Sequence, residues 1–149
     1  MEPFYTFHIE LKKLNKKLLN LSTQVEERFR QATSLIANYD EQTAQSLILN
    51  DYQIDEQEVE IEEDCLKILA LHQPVAGDLR FIITVIKVNN ELERIADMGV
   101  NIAIGARAIS KSKSRDLVKN IDFSEMSEKV LQMLKNSLDA LIARDASLA

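Results

Sequence analysis

At 149 residues with a formal charge of −6, the chain has room for one or two small domains and lacks the dominant basic face of a nucleic-acid binder. Three glycines and two prolines, set among abundant Leu, Ile, Ala, Glu and Lys, favour an all-α protein with few tight turns. Cys65 is the single cysteine, which excludes an intrachain disulfide and fits a reducing, cytoplasmic setting; the apolar runs are too short to span a bilayer, so membrane contact is at most peripheral, and Met1–Phe7 lacks the basic start of a secretory signal.

From about residue 5 to 38, Phe7, Leu11, Leu14, Leu18, Leu21, Val25, Phe29, Ala32 and Ile36 recur at spacings of three and four, which predicts a first amphipathic helix. Lys12, Lys13, Lys16 and Lys17 read as its solvated basic face. Asn38-Tyr39-Asp40 ends that helix, and Asp40 is placed to cap the next.

The second helix is expected over about 41–72, with Ala44, Leu47, Ile48, Ile54, Ile61, Cys65, Ile68 and Leu69 along its apolar stripe. Asp51, Asp55, Glu58 and Glu62 form an acidic row beside the stripe, and like charges one turn apart weaken a helix unless something compensates them. Glu56, Glu60, Glu63 and Asp64 read as an ordinary solvated face. Cys65 is expected in the core and His72 at a helix end or on the surface.

Gln73-Pro74-Val75-Ala76-Gly77 interrupts the run, because Pro74 has no amide hydrogen to donate and Gly77 loosens the chain. A third helix should follow over about 77–110, antiparallel to the second. On it, Leu79, Ile82, Ile86, Asn90, Glu93, Asp97, Val100 and Ile104 fall on one face, while Val88, Leu92, Ile95 and Ile102 make a second apolar strip. Glu93 and Asp97 thus stand in line with apolar residues, and burying carboxylates uncompensated is costly. A hard cation, a basic partner or local exposure are the available explanations. Equal steps away from the Pro74 turn bring Asp55 level with about Arg94 and Asp51 level with about Met98. Asp51, Asp55, Glu93 and Asp97 are therefore expected to converge across the helix pair. Arg94 is expected to pair with a neighbouring acid, and Asn101 either orients a carboxylate or is an ordinary polar helix residue.

Ser110-Lys111-Ser112-Lys113-Ser114-Arg115 begins a polar, basic connector, and Asp122, Phe123 and Ser124 offer caps for a fourth helix over about 124–144. A shift of 105 places Leu21-Ser22 on Met126-Ser127, Val25 on Val130, Phe29 on Leu134, Ile36 on Leu141 and Asp40 on Asp145. The chain accordingly reads as a three-helix unit over 1–110, a linker over 111–122 and the first helix of a second, truncated copy over 123–149.

Asp51-Tyr52-Gln53-Ile54-Asp55, Gln73-Pro74-Val75-Ala76 with Asp78-Leu79-Arg80, and Leu92-Glu93-Arg94-Ile95-Ala96-Asp97 with Asn101-Ile102-Ala103 resemble the signatures of the PhoU family. The resemblance spans about 4–110 and, more faintly, 123–149. It implies an antiparallel three-helix bundle repeated in tandem. It also implies a cytoplasmic regulator of phosphate uptake and of the phosphate-starvation response, acting through contact with phosphate transporter components and a sensor histidine kinase. A PhoU-like domain attending a sodium–phosphate cotransporter is a close variant. The resemblance further implies metal ions on paired acidic motifs, here Asp51 with Asp55 and Glu93 with Asp97. Ala96 and Met98 stand where the family commonly has Gly and His, and neither change removes a carboxylate.

An all-oxygen donor set suits hard cations such as Mg²⁺, Mn²⁺ or Ca²⁺ and carboxylate-bridged Fe; Zn is possible at a carboxylate site but usually prefers His or Cys. An enzyme is not expected. Neither His8 nor His72 has a Glu three residues before it, as di-iron bundles require, and neither a Gly-rich phosphate loop nor a nucleophile–base pair is evident. The competing reading is a metal-free interaction bundle whose acids are solvated or meet a basic partner. Val130, Leu131, Leu134, Leu138, Leu141 and Ile142 give the fourth helix an apolar face that needs a cover, and a homodimer packed through that helix is expected.

Overall fold

The leucine ladder of the first segment forms α1 (Pro3–Ala37), buried along Phe7, Leu14, Leu18, Leu21, Val25, Phe29, Ala32 and Leu35. The buried position in the last turn is Leu35 rather than the expected Ile36, which is half-exposed. The computed structural model describes residues 3–143, and among them every regular element is helical. Asp145 and the expected helix end at residue 144 lie outside the described residues.

The segment expected as one second helix is two: α2 (Glu41–Leu49) and α3 (Tyr52–His72). Asp40 caps α2 as expected, its carboxylate accepting from the Thr43 N–H at 2.8 Å. The break falls at Asn50-Asp51, where the backbone tightens to i→i+3 bonds: Gln53 N–H donates to the Asn50 carbonyl at 3.1 Å and Ile54 N–H to the Asp51 carbonyl at 2.9 Å. A hydrophobic pattern cannot reveal such a break, because Leu47 and Ile54 stay buried on both sides of it.

The connection to α4 (Ala76–Ser110) turns at Gln73, not at Gly77. Gln73 takes the left-handed conformation with φ of 44° and its N–H closes back on the Leu69 carbonyl at 3.2 Å. No positive φ occurs at glycine among the described residues.

The buried seam of α4 runs between the two strips expected from its sequence. Ile82, Val85, Asn89, Leu92, Ala96, Gly99, Ala103 and Ala106 form it, while Leu79 and Ile104 are exposed. Small residues fill the second half because α1 lies close along it. A Cβ on Gly99 would stand 3.8 Å from the Ala32 Cβ and 3.9 Å from the Phe29 Cα.

α1, the α2–α3 arm and α4 pack as a three-helix bundle with two core clusters. The main cluster joins α1, α3 and α4 through Leu14, Leu21, Ile54, Ile61, Cys65, Ile82, Val85 and Leu92. A smaller one closes the far end with Ala32, Leu35, Ala44, Leu47, Ala103 and Ala106. The α2–α3 break lies between them.

Two expected surface groups, Lys17 and His72, instead tie helices together. Lys17 reaches from α1 to Glu60 at 2.6 Å and Asp64 at 2.5 Å on α3, so those two acids are not simply solvated. His72 Nε2 lies 2.7 Å from Glu10 Oε2, its ring 5.1 Å from that of Phe7. Arg94 pairs with Glu91 at 3.2 Å, as expected.

After α4 the basic connector holds one short helical turn, α5 (Arg115–Val118), and then α6 (Ser124–Ala143) lies along α1. Leu131 and Leu138 are buried within the chain, and Leu134 and Leu141 pack on the main cluster. Part of the apolar face of α6 is therefore covered internally, while Met126, Val130, Met133 and Ile142 remain exposed.

Candidate metal centre

Asp51 stands at the α2–α3 break, Asp55 one turn into α3, and Glu93 and Asp97 are one turn apart on α4. One carboxylate oxygen from each of Asp51, Asp55 and Asp97 can be chosen so that all lie within 4.8 Å of one another. Glu93, one turn before Asp97 on α4, lies close enough for the Asp97 and Asp55 charges to act on its carboxyl. Of the four acids singled out in the sequence, the structure thus groups Asp51, Asp55 and Asp97, while Glu93 stands beside Asp97 and outside that group. Asp51 and Asp55 come level with Asp97 because the antiparallel α3 and α4 pair directly.

The electrostatics record the crowding. Burial pushes the Glu93 carboxyl up to about 7, helped by the hydrogen bond with Asp97 and by the charges of Asp97, Asp55 and Glu58. Asp51 is also held above the usual carboxylate range, first by burial and then by Asp55 and Asp97, with the Arg28 guanidinium pulling the other way. Glu58 is raised by burial first and then by Glu62 and Asp55, so the acidic field extends along α3 beyond the four residues. Its place in the same acidic row, three residues after Asp55, was the available signal.

The residues present fit a cation. Asp51 Oδ1 is buried with no hydrogen-bond partner, an arrangement that costs stability unless a positive charge meets it. Oxygens within 4.8 Å of one another are close enough to share one hard cation. Asp55 and Asp97 are exposed and leave the site open to solvent. Nitrogen and sulfur donors play no part: His72 is engaged with Glu10, and the buried Cys65 thiol is pushed up to about 11 by burial. Asn101 is exposed, and among the described residues no hydrogen bond joins its amide to a carboxylate.

Sequence reasoning missed the polar groups behind the acids. Arg28 of α1 donates to the Asn50 carbonyl at 2.8 Å and to Gln53 Oε1 at 2.9 Å. Asn89, fully buried on α4, donates to the Glu58 carbonyl at 2.8 Å. Neither carries a local signature, since both partners are distant in sequence.

Comparison with known proteins gives a consistent picture. The model of the PhoU domain matches residues 18–104, which include both acidic pairs. The chain is 35% identical over 93% of its length to a phosphate-specific transport system accessory protein PhoU homolog of Clostridium acetobutylicum. It is 32% identical over 99% of its length to PhoU homolog 1 of Methanothermobacter thermautotrophicus, and 30% over 93% to the accessory protein PhoU of Escherichia coli. It spans 63%, 67% and 57% of the lengths of these three relatives, respectively.

Proposed function

The chain belongs to the PhoU family, and from that premise we propose that it is a cytoplasmic accessory regulator that restrains phosphate uptake and the phosphate-starvation response. The observation that carries this reading is the family match over residues 18–104, which covers the whole of α3 and both acidic pairs. The action is protein–protein contact rather than catalysis, with phosphate transporter components and a sensor histidine kinase as partners. Among the described residues no helix is long and apolar enough to cross a membrane, which accords with a protein that reaches a transporter from outside the bilayer.

In this reading Asp51, Asp55, Glu93 and Asp97 hold a divalent or iron-type metal ion. When bound, the ion neutralises like charges that otherwise repel one another. The chain's own residues do the rest: Asp55 offers an α3 carboxylate, Glu93 and Asp97 offer two from α4, and Asp51 adds one from the break, so ligation ties α3 to α4. The stiffened face is then available for a partner to read. The three-helix unit over 1–110, the linker over 111–122 and the beginning of a second repeat over 123–149 remain our reading of the organisation.

A homodimer belongs to the same proposal. Exposed Val130 and Met133 of α6 face the half-buried Ile95 and exposed Met98 of α4 across an apolar groove, and Met126, one turn before Val130, is exposed as well. Light scattering across a dilution series should report twice the chain mass. A monomer at low micromolar concentration would remove this part.

Partner contact is tested by affinity capture of a tagged chain from phosphate-replete cells. Enrichment of the transporter's cytoplasmic subunits and of the histidine kinase is the expected result. Capture of neither, by a chain that retains its helicity, would contradict the regulatory reading.

A further inference from the structure

We infer that Arg28 is a positioning residue for the acidic centre: its double clamp on the α2–α3 break sets where Asp51 points. The inference rests on the proposed cation site and adds a residue on a different helix to it.

Asp51 makes no hydrogen bond through Oδ1, and its side chain does not cap α3. Its direction is therefore inherited from the backbone at the break. That backbone is not held by an uninterrupted helix. Asn50 ends α2 at φ −98° and ψ 10°, and the Ile54 N–H, which would serve the Asn50 carbonyl in a continuous helix, goes to the Asp51 carbonyl instead. The Asn50 carbonyl takes the Gln53 N–H and the Arg28 Nη1. Nη2 of the same guanidinium holds Gln53 Oε1, so one planar group grips both sides of Asp51 and Tyr52. One turn earlier on α1, the Gln24 and Gln57 amides exchange hydrogen bonds at 3.0 and 2.9 Å and extend the grip along α3. Arg28 thus ties the break to α1, while the acids it serves face α4.

The electrostatic effect of Arg28 has the opposite sign. A positive charge near Asp51 repels a second cation, so removing it without moving anything would tighten cation binding. Removing the clamp lets Asp51 swing away and weakens binding. The direction of change separates the two roles.

The experiment compares wild type, Arg28→Met and Arg28→Lys. Mn²⁺ binding is followed by calorimetry, backbone amide exchange is measured without metal, and circular dichroism checks the helices. Methionine keeps the apolar stem and removes the donors, whereas lysine keeps the charge and reaches one acceptor. Arg28→Met is expected to bind Mn²⁺ about tenfold more weakly, as loss of a group that orients a ligand does. Exchange at Gln53, Ile54 and Asp55 should quicken while Ile61, Cys65 and Ile68 keep their protection. Arg28→Lys should fall between. Unchanged exchange at residues 53–55 in Arg28→Met would overturn the clamp. Unchanged or tighter Mn²⁺ binding with loosened amides would overturn the positioning role. Wild type that binds no Mn²⁺ would overturn the cation reading itself, and with it the role given to Arg28. That failure is recognisable because it appears before any substitution is made.

Discussion

Asn89 on α4 donates its side-chain amide to the Glu58 carbonyl of α3 at 2.8 Å, two turns before Asp97 reaches the acidic centre. Asn89 is fully buried, and its own Oδ1 has no partner. A polar bond in an apolar core fixes the register of two helices, because any slip leaves the amide unsatisfied. Here the register decides whether the α3 and α4 acids meet.

Asn89→Ala should therefore destabilise the chain by about 1–3 kcal/mol, the range for losing a buried hydrogen bond together with its packing. Urea unfolding followed by circular dichroism measures this. Unchanged stability would show that the bond is incidental to the α3–α4 pairing.

The raised carboxyl of Glu93 gives the cation-free chain an unusual pH dependence. Its folded value of about 7 lies above its ordinary value of 4.5, so between the two the folded state binds more protons than the unfolded state. Stability from this group is full below about pH 4.5 and is lost as pH rises through about 7. Asp51 and Glu58, raised in the same direction, add to the trend. The melting temperature without divalent cations should therefore be higher at pH 5.5 than at pH 8, and Glu93→Gln should flatten the difference. A melting temperature that rises with pH over this window in wild type would contradict the crowding.

Gly99 offers a test of packing free of charge effects. The nearest atoms that an added Cβ would meet are at 3.8 and 3.9 Å, ordinary contact distances. Alanine also has the better helix propensity, so Gly99→Ala should stabilise by up to about 1 kcal/mol. A loss of stability would mean that α1 and α4 sit closer in solution than the structure places them.

The acidic convergence was legible because it needed only helical spacing and a turn. The Pro74 interruption made α3 and α4 antiparallel, and equal counting on each arm placed Asp51 and Asp55 level with Asp97, with Glu93 one turn before it. The α2–α3 break was not legible, since the group gripping it, Arg28, lies 22 residues before Asn50 and acts through tertiary contact. The seam of α4 was misread for a different reason. Asn89, Ala96, Gly99, Ala103 and Ala106 bury through close approach to neighbouring helices, and small or polar side chains leave little trace in a hydrophobic pattern. His72 and Lys17 were taken as surface groups because Glu10, Glu60 and Asp64 become their neighbours only on folding.

The most direct test of the proposed cation centre is thermal unfolding of wild type and Asp97→Asn at pH 8, with and without Mn²⁺. Asp97 contacts Glu93 and faces Asp51 and Asp55, so Asp97→Asn removes a repelling charge and a candidate ligand at once. The expected result is a crossed pair. Without metal, Asp97→Asn melts at or above wild type. With metal, only wild type shows a saturable rise, set by how far the concentration exceeds the dissociation constant. Wild type that does not respond to Mn²⁺, or Asp97→Asn that responds equally, would contradict the cation centre.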